Sequence, residues 1–582
     1  QVRPDEPVPA ERERAAEDRM TGRAPARRRF LVAAAALLAF GCTPQPAEQK
    51  APPAAAAIAM PDRYSADVAE RILADGGNAV DAAIASAFVL AVTSPECGNI
   101  GGGGFMLARF GDEAAFVDFR EMAPAAATRD MYLDAHGEVL ADASLTGHRA
   151  VGVPGTVAGL WAAHQKYGTK PWADLLSTAI ALAEMGFTVP PQLEKVMQVE
   201  MPRLKGTANF TKYFGGLHAG GMFRQPELAA TLRRIAAGGS DGFYRGETAR
   251  LLLAEMRRGG GLVSAGDLAG YKPIWRAPLQ AHWRNFEILA APPPSSGGFA
   301  VIQLLKMKDD LAAAFAGLAL NSPQYIHLTA EMEKRVFADR AEYLGDPDFV
   351  PQRAGELIAD DYVARRAAEV NPKTITQADA VHPGLEPHAT THFSIVDHAG
   401  NAVAFTYTLN ADFGSGVVVA GGGFVLNDEM DDFSVKPGVA NYYGVFGADA
   451  NSVQPGKRML SSMAPTILVK NGKVSMVLGS PGGSTIITSV YQAIIDVLDF
   501  KMSAQEAVSA TRFHHQLWPP DLITYSISRP LPGDVIRALA DRGYRAEPHP
   551  WEIGDLQLVW RDGDQWTAAS DPRGRGEARI VH

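Results

Sequence analysis

The length and composition of the chain are typical of a globular protein. Of its 582 residues, 47% are hydrophobic and 21% are charged, which excludes disordered and fibrous classes and allows a large core. The formal net charge of -10 argues against a dedicated nucleic-acid binder, because phosphate binding requires a clustered basic face. We therefore expect a globular protein and no nucleic-acid partner.

Residues 1–42 have the pattern of an export signal. Met20 is the first methionine and a candidate start of translation, which would make residues 1–19 non-coding. It precedes three arginines at 27–29 and an apolar run at 30–40, the order typical of a secretory signal. The run is shorter than the roughly 20 residues of a membrane span. Residues 27–31 also resemble a twin-arginine signal, so the sequence leaves both export routes open.

The segment LAFGC at 38–42 resembles a bacterial lipobox. We therefore predict a lipid anchor at Cys42, followed by a Pro/Ala-rich tether at 43–56, and a periplasmic or other extracytoplasmic location. The only other cysteine is Cys97, so the fold cannot depend on a disulfide framework. We interpret Cys97 as a small buried residue rather than a nucleophile.

The first globular segment begins with helical patterns and then becomes strand-like. Residues 66–92 predict two helices interrupted at 76–78, and the glycine run at 101–104 leads into strands at 105–110 and 115–119. This run precedes a strand instead of opening a helix, so it indicates close backbone packing rather than a dinucleotide site. Arg120 follows the second strand. Its fork of donors suits a substrate carboxylate, although a solvated strand end is the commoner interpretation.

The segment 147–371 is predicted to be mainly helical. The helices are expected at 154–167, 172–185, 227–237, 247–257, 299–311 and 323–343. No metal-spaced cluster occurs among them, and the pair His514-His515 is interpreted as structural, because adjacent side chains on a helix diverge.

Residues 388–410, HATTHFSIVDHAGNAVAFTYTLN, predict a hairpin of two half-buried strands. Residues 398–400 suit a three-residue loop with Gly400 in the left-handed conformation, which pairs Asp397 with Asn401. This register places Thr390 opposite Thr408. A threonine at a strand start is usually only a β-former, so the hairpin alone does not identify a nucleophile.

The remaining segment contains three unusual stretches. A strand at 424–426 precedes an acidic run at 427–432, whose spacing does not fit a calcium loop. Residues 434–458 form a long loop of the kind that covers sites. Strands at 466–470 and 474–478, joined by a tight Asn471-Gly472 turn, precede the glycine turn 479–484 and a helix to about residue 498. The turn lacks the lysine of a phosphate loop, and its N–H groups suit an oxyanion.

Together these motifs resemble one known family. The stretches DGGNAVDAA, GNIGGGGFM, DFREMAPAAATRDMYLD, ATTHFSIVD, LNDEMDDFS, KRMLSSMAPT, GSPGGS and RFHHQ are similar to those of γ-glutamyltransferase, a self-cleaving N-terminal-nucleophile hydrolase. The resemblance extends from about residue 57 almost to the end of the chain. It implies an α+β fold, a four-layer αββα sandwich, and cleavage between Ala389 and Thr390. The products would be a large subunit, 57–389, and a small subunit, 390–582, sharing one core.

The resemblance also implies roles for individual residues. Thr390 would be the nucleophile, Thr408 would orient it, and the N–H groups of Gly482 and Gly483 would hold the oxyanion. The substrate-binding residues implied by the family are Arg120, Ser461 and Ser462 for the α-carboxylate, Asn410, Glu429 and Asp432 for the α-ammonium, and Tyr443 on the covering loop. We expect Thr390, Thr408, Arg120, Asp432 and the two glycines to line one pocket.

The implied activity is hydrolysis or transpeptidation of glutathione or another γ-glutamyl donor, with water, an amino acid or a dipeptide as acceptor, and with no cofactor or metal. A cephalosporin (glutaryl) acylase or a polyglutamate-processing relative would use the same threonine on another acyl group. A periplasmic binding lipoprotein that never cleaves itself is an alternative from another class. Arg120, Asn410, Glu429 and Asp432 favour an α-amino-acid head group.

Overall fold

A computed structural model describes residues 55–377, 390–436 and 448–582. Its strands, in chain order, are β1 (Ala56–Met60), β2 (Gly103–Phe110), β3 (Glu113–Asp118), β4 (Phe187–Thr188), β5 (Met222–Phe223), β6 (Ile274–Arg276), β7 (Leu279–Trp283), β8 (Phe286–Ala290), β9 (Thr391–Val396), β10 (Ala402–Thr408), β11 (Thr466–Lys470), β12 (Lys473–Gly479), β13 (Phe513–His514), β14 (Leu522–Tyr525), β15 (Arg545–Pro548), β16 (Gln557–Asp562), β17 (Gln565–Ser570) and β18 (Glu577–Val581).

The helices of the described residues are α1 (Arg63–Ala74), α2 (Ala79–Thr93), α3 (Thr156–Tyr167), α4 (Trp172–Met185), α5 (Pro191–Leu204), α6 (Phe210–Phe214), α7 (Pro226–Gly238), α8 (Asp241–Tyr244), α9 (Gly246–Gly259), α10 (Ala265–Gly270), α11 (Gly297–Asp310), α12 (Ala312–Phe315), α13 (Pro323–Tyr343), α14 (Ala354–Leu357), α15 (Asp360–Ala368), α16 (Thr485–Leu498), α17 (Ala504–Ser509) and α18 (Gly533–Arg542). No helix within these described ranges is long and apolar enough to span a bilayer.

Two antiparallel sheets form the centre of the fold. One has seven strands in the order β18-β1-β9-β10-β2-β3-β6, and the other has six in the order β17-β16-β12-β11-β8-β7. Both sheets combine strands from before and after residue 390. The two segments of the chain therefore share one core.

The alternation of side chains along the strands explains the layers. In β1, Ala57 and Ala59 belong to the core that includes the six-stranded sheet, whereas Ala56, Ile58 and Met60 face the helical side. Strands β9 and β10 pack on β12; α1 and α2 cover the outer face of the first sheet, and α11 and α16 cover that of the second. The arrangement is an αββα sandwich, and the predicted α+β fold class is confirmed.

The hairpin of β9 and β10 has the predicted register but not the predicted exposure. Tyr407 pairs with Thr391, and Gly400 adopts a φ of +82° in the turn. The expectation of half-buried strands is wrong, because both strands are buried along their whole length between two layers. The polar face of the hairpin is satisfied internally: His392 Nδ1 lies 2.7 Å from Thr406 Oγ1.

Most predicted elements are found within a few residues of their expected bounds. The strand expected at 424–426 is wrong: Val425 makes only an isolated bridge to Val418, next to Gly421 and Gly423 with positive φ. His514 lies at the end of β13, not on a helix. The hairpin of β7 and β8 was not predicted, because it interrupts a segment whose pattern is mainly helical.

Several predictions fall on residues that the structure does not describe. The leader, Cys42 and nearly all of the tether precede residue 55, Ala389 lies within 378–389, and Tyr443 lies within 437–447. They remain predictions.

Candidate active site

The predicted site residues meet at one small cavity. Its volume is about 20 Å³, room for roughly one water molecule. Its lining consists of Arg120, Thr390, Thr408, Asn410, Glu429, Asp432, Ser461, Ser462, Met463, Gly483 and Ile486. Arg120 thus reaches Thr390 from a distant part of the sequence. Met463 and Ile486 were not predicted. Gly482 was expected in the lining but is not part of it; it precedes Gly483 in the adjoining turn.

The end of the hairpin is held by the glycine run and by Asn99. Asn99 Nδ2 donates to the Thr408 carbonyl at 2.8 Å, and the Asn410 N–H donates to Thr408 Oγ1 at 2.9 Å. A Cβ added to Gly102 would lie 2.1 Å from the Thr408 carbonyl oxygen, so a larger residue would clash with the backbone. This confirms the close packing predicted for the run, whereas the role of Asn99 was missed.

Arg120 lies just beyond β3, buried inside the protein. Its Nη1 lies 2.6 Å from Glu429 Oε2, its Nη2 donates to Asp432 Oδ2, and its Nε donates to the Met459 carbonyl at 3.4 Å. Burial alone would lower the pKa of Arg120, but the nearby carboxylates, above all those of Glu429 and Asp432, raise it above its usual value. The guanidinium is therefore charged.

The carboxyl groups around Arg120 outnumber its single positive charge. Burial raises the pKa of Glu429 and of Asp432 more than Arg120 lowers them, and raises the pKa of Glu121 to about 8 despite the same arginine. One or more of the three carboxyl groups therefore holds a proton near neutral pH. Glu121 was not predicted, although it follows Arg120 directly.

A second buried cation, Arg340 on α13, was also missed. Its charge lowers the pKa of Asp432, opposing the larger effect of burial, and its Nε donates to Ser296 Oγ at 2.8 Å. The N–H of Ser296 donates to the Ser461 carbonyl at 2.6 Å. Arg340 begins the stretch RAEYLGDPDF, which also resembles the γ-glutamyltransferase family, but no role in the site was predicted for it.

The two predicted serines differ in their hydrogen bonding. The Ser461 N–H donates to the Pro294 carbonyl at 2.8 Å, and Ser461 Oγ accepts from the Met463 N–H at 3.2 Å. Ser462 Oγ is buried on the cavity wall and has no hydrogen-bond partner among the described residues. A buried hydroxyl without a partner is uncommon and suits a ligand contact.

The glycine turn before α16 has a backbone conformation that favours glycine. Gly482 and Gly483 have φ of +133° and +55°, conformations that favour glycine. Their carbonyls accept from the Thr485 and Ile486 N–H groups at 3.1 and 3.0 Å, which fixes the turn. Gly483 shares the cavity lining with Thr390, which makes its N–H a candidate donor to an oxyanion formed there. Across the residues that the structure describes, no group of three or more His, Cys, Asp or Glu side chains could hold a metal ion.

Comparisons with known proteins agree over nearly the whole chain. The model of the gamma-glutamyltranspeptidase family matches residues 65–581. A glutathione hydrolase proenzyme of Pseudomonas aeruginosa is 55% identical over 525 residues, covering 90% of this chain and 94% of that protein.

Two solved structures extend the comparison. The gamma-glutamyltranspeptidase of Pseudomonas nitroreducens, complexed with L-DON, is 52% identical, with a TM-score of 0.55 over 56% of this chain and 96% of that one. A cephalosporin acylase from Bacillus halodurans is 26% identical, with a TM-score of 0.77 over 93% of this chain and 99% of that one. Both proteins resemble this chain in fold over the residues covered, and sequence identity is much higher to the transpeptidase.

Proposed function

The chain belongs to the gamma-glutamyltranspeptidase family, and from this premise we propose that it is a self-processing γ-glutamyl hydrolase and transpeptidase that acts on glutathione and related γ-glutamyl amides. One observation carries the proposal: a single cavity is lined by the hydroxyl residue Thr390, by the guanidinium of Arg120 and by the carboxyl group of Asp432. That combination fits an acyl group with a zwitterionic amino-acid head.

The first step is cleavage of the chain before Thr390. The Thr390 hydroxyl attacks the Ala389 carbonyl carbon, and the Ala389–Thr390 C–N bond breaks as the hydroxyl proton passes to the freed nitrogen. Water then hydrolyses the resulting ester, which separates residues 57–389 from 390–582. The Thr390 nitrogen thereby becomes an α-amine with a reference pKa of about 7.7 to 8.0, a competent base near neutral pH. The interleaved strands of the two sheets keep the two pieces together.

The second step uses the same hydroxyl on the substrate. The α-amine takes the proton of Thr390 Oγ while the oxygen attacks the γ-carbonyl carbon, and Thr408 orients the nucleophile. The N–H groups of Gly482 and Gly483 stabilise the oxyanion. The C–N bond breaks, the leaving amine receives the proton, and a γ-glutamyl ester forms on Thr390. Water then releases glutamate, or an amino acid or dipeptide takes the acyl group.

The substrate head exchanges partners with the protein. Its α-carboxylate binds Arg120, with Ser461 and Ser462, while its α-ammonium binds Asn410, Glu429 and Asp432. Arg120 and the carboxyl groups of Glu429 and Asp432, which contact each other at rest, are then paired with the substrate instead, which avoids leaving the guanidinium buried without a partner. Tyr443 is proposed to cover the bound head from its loop.

We further propose that the protein is exported and anchored by a lipid on Cys42. The basic and apolar pattern of residues 27–40 and the lipobox-like segment at 38–42 support this. Labelling cells with a fatty-acid analogue should mark the wild type and not Cys42→Ser. Equal labelling of both would contradict the anchor.

The activity is tested by purifying the protein and measuring release of p-nitroaniline from γ-glutamyl and glutaryl anilides, with and without glycylglycine. We expect the γ-glutamyl anilide to be preferred and glycylglycine to accelerate its turnover. Preference for the glutaryl anilide would favour the acylase alternative. A single full-length band on a denaturing gel, with no turnover, would favour the binding-protein alternative.

A further inference from the structure

A buried ion pair outside the residues assigned above links the two halves of the carboxylate site. Asp118, at the end of β3, and Arg458 are almost fully buried. Arg458 Nη1 lies 2.6 Å from Asp118 Oδ1 and 3.0 Å from the Asp118 carbonyl oxygen, and its Nη2 donates to the Lys272 carbonyl at 2.8 Å. The guanidinium therefore bonds to two points on the segment that leads to Arg120.

The same carboxylate oxygen also fixes the backbone of Arg120. The Arg120 N–H donates to Asp118 Oδ1 at 3.0 Å. In return, Arg120 Nε donates to the carbonyl of Met459, the residue after Arg458. Each arginine is thus bonded to the segment that holds the other, and Ser461 and Ser462 follow Met459 after one further residue.

A third connection extends from this segment to the acidic side of the site. Asn451 Oδ1 accepts from the Leu460 N–H at 3.0 Å, and Asn451 Nδ2 donates to the Asp432 carbonyl at 2.7 Å. A shift of residues 458–462 would therefore change the spacing of Arg120, Ser462 and Asp432 together. A shift of about 1 Å in such groups can greatly reduce binding or activity.

We propose that Asp118 and Arg458 are a positioning pair that sets the spacing between Arg120 on one piece of the cleaved chain and Ser461-Ser462 on the other. The pair touches neither the substrate nor Thr390. It acts through the two segments that bind the substrate α-carboxylate, so the inference rests on the proposed γ-glutamyl function.

The chain offers a matched control on the same carboxylate. Arg276 Nε donates to the other oxygen, Asp118 Oδ2, at 2.8 Å, and its Nη2 pairs with the partly exposed Asp348, also at 2.8 Å. Among the described residues Arg276 makes no hydrogen bond or ion pair with residues 458–462, although its Nη2 lies 3.9 Å from Asp346 Oδ1 and Asp346 Oδ2 accepts from the Arg458 N–H at 2.7 Å. Arg276→Met therefore removes an arginine from Asp118 while Asp346 still holds the backbone of Arg458.

The experiment compares Arg458→Met, Arg458→Lys and Arg276→Met with the wild type on two anilides, γ-glutamyl and 4-aminobutyryl, the second lacking the α-carboxylate. For Arg458→Met we expect normal cleavage before Thr390, a KM for the γ-glutamyl anilide raised about tenfold, and kcat within about threefold. Its kcat/KM for the 4-aminobutyryl anilide should stay within about twofold, and Arg276→Met should match the wild type on both. The KM of Arg458→Lys for the γ-glutamyl anilide should lie between those of the wild type and Arg458→Met.

Loss of the Arg458 charge can also weaken the fold, since it leaves the buried Asp118 with one arginine, Arg276, instead of two. Asp118→Asn combined with Arg458→Met removes both charges of the pair and leaves Arg276 with its other partner, Asp348, so we expect this variant to regain stability while its KM stays raised. If the pair had only a structural role, the double variant would regain both the stability and the KM of the wild type. A wild-type KM in Arg458→Met, or a crystal structure of that variant with residues 459–462 unmoved relative to Arg120, would overturn the inference. Failure of the wild type to cleave the γ-glutamyl anilide would instead overturn the proposed function.

Discussion

Arg120 Nη1 lies 2.6 Å from Glu429 Oε2 inside the protein, so the residues proposed to hold the two charges of the substrate head are paired with each other at rest. A zwitterionic ligand can replace both partners at once. A ligand with only one charge would leave a buried protein charge unpaired, and breaking a buried ion pair in this way costs several kcal/mol. The resting pair thus favours α-amino-acid head groups over simple acids.

We therefore predict strong discrimination by charge. The kcat/KM for glutaryl anilide, which lacks the α-ammonium, should be about a hundredfold or more below that for γ-glutamyl anilide. The difference in kcat/KM between the two anilides should be smaller in Asp432→Asn, because asparagine places no negative charge where the glutaryl anilide lacks an ammonium group. Equal kcat/KM values for the two anilides in the wild type would contradict this account.

Arg120→Lys should lose activity while maturation continues. Lysine keeps the charge but cannot reproduce the three separate contacts of the guanidinium with Glu429, Asp432 and Met459. We expect kcat/KM on γ-glutamyl anilide to fall about a hundredfold or more. Arg250→Lys, which alters an exposed pair with Glu247, is the control and should behave like the wild type. Full activity of Arg120→Lys would exclude the proposed carboxylate role.

Thr390→Ala should abolish both chain cleavage and turnover, and Thr390→Ser should retain part of each, because one hydroxyl performs both attacks. The same alanine substitution one residue along, Thr391→Ala, should still give two pieces on a denaturing gel. Appearance of the two pieces in Thr390→Ala would assign the cleavage to another group.

The hairpin register and the site were predicted on different grounds. Strand pairing is set by the turn around Gly400, a physical constraint, whereas the site residues were assigned by the resemblance of short motifs to those of a known family. Asn99, Asp118 and Arg458 lie within the motifs that carry the resemblance, but their contacts with the site, like those of Arg340, depend on tertiary packing, so the motifs alone do not assign their roles. The expectation that β9 and β10 are half-buried was wrong. Alternation of polar and apolar residues does not show whether the polar face is in water or is buried with its hydrogen bonds made inside the protein, as between His392 and Thr406.

The buried His392 should make the catalytic hairpin sensitive to acid. Burial lowers its pKa in the folded protein to about 3, below the unfolded value of about 6.5. Its contribution to stability is therefore complete above about pH 6.5 and is lost progressively as pH falls toward 3. His392→Gln does not titrate, so the Tm advantage of the wild type over this variant should shrink between pH 7.5 and 5. A difference in Tm that stays constant with pH would contradict the prediction.

Ser462→Ala and Ser461→Ala should separate substrate binding from stability. Ser462 Oγ lines the cavity without a partner among the described residues, so its removal should leave Tm unchanged or slightly higher. The same change should raise the KM for γ-glutamyl anilide about tenfold, because a carboxylate contact is lost. Ser461 Oγ accepts from the Met463 N–H at 3.2 Å, so Ser461→Ala should lower Tm by a few degrees, corresponding to about 1 kcal/mol. A Ser462→Ala enzyme with wild-type KM and lowered Tm would show that this hydroxyl is structural and would remove it from the binding site.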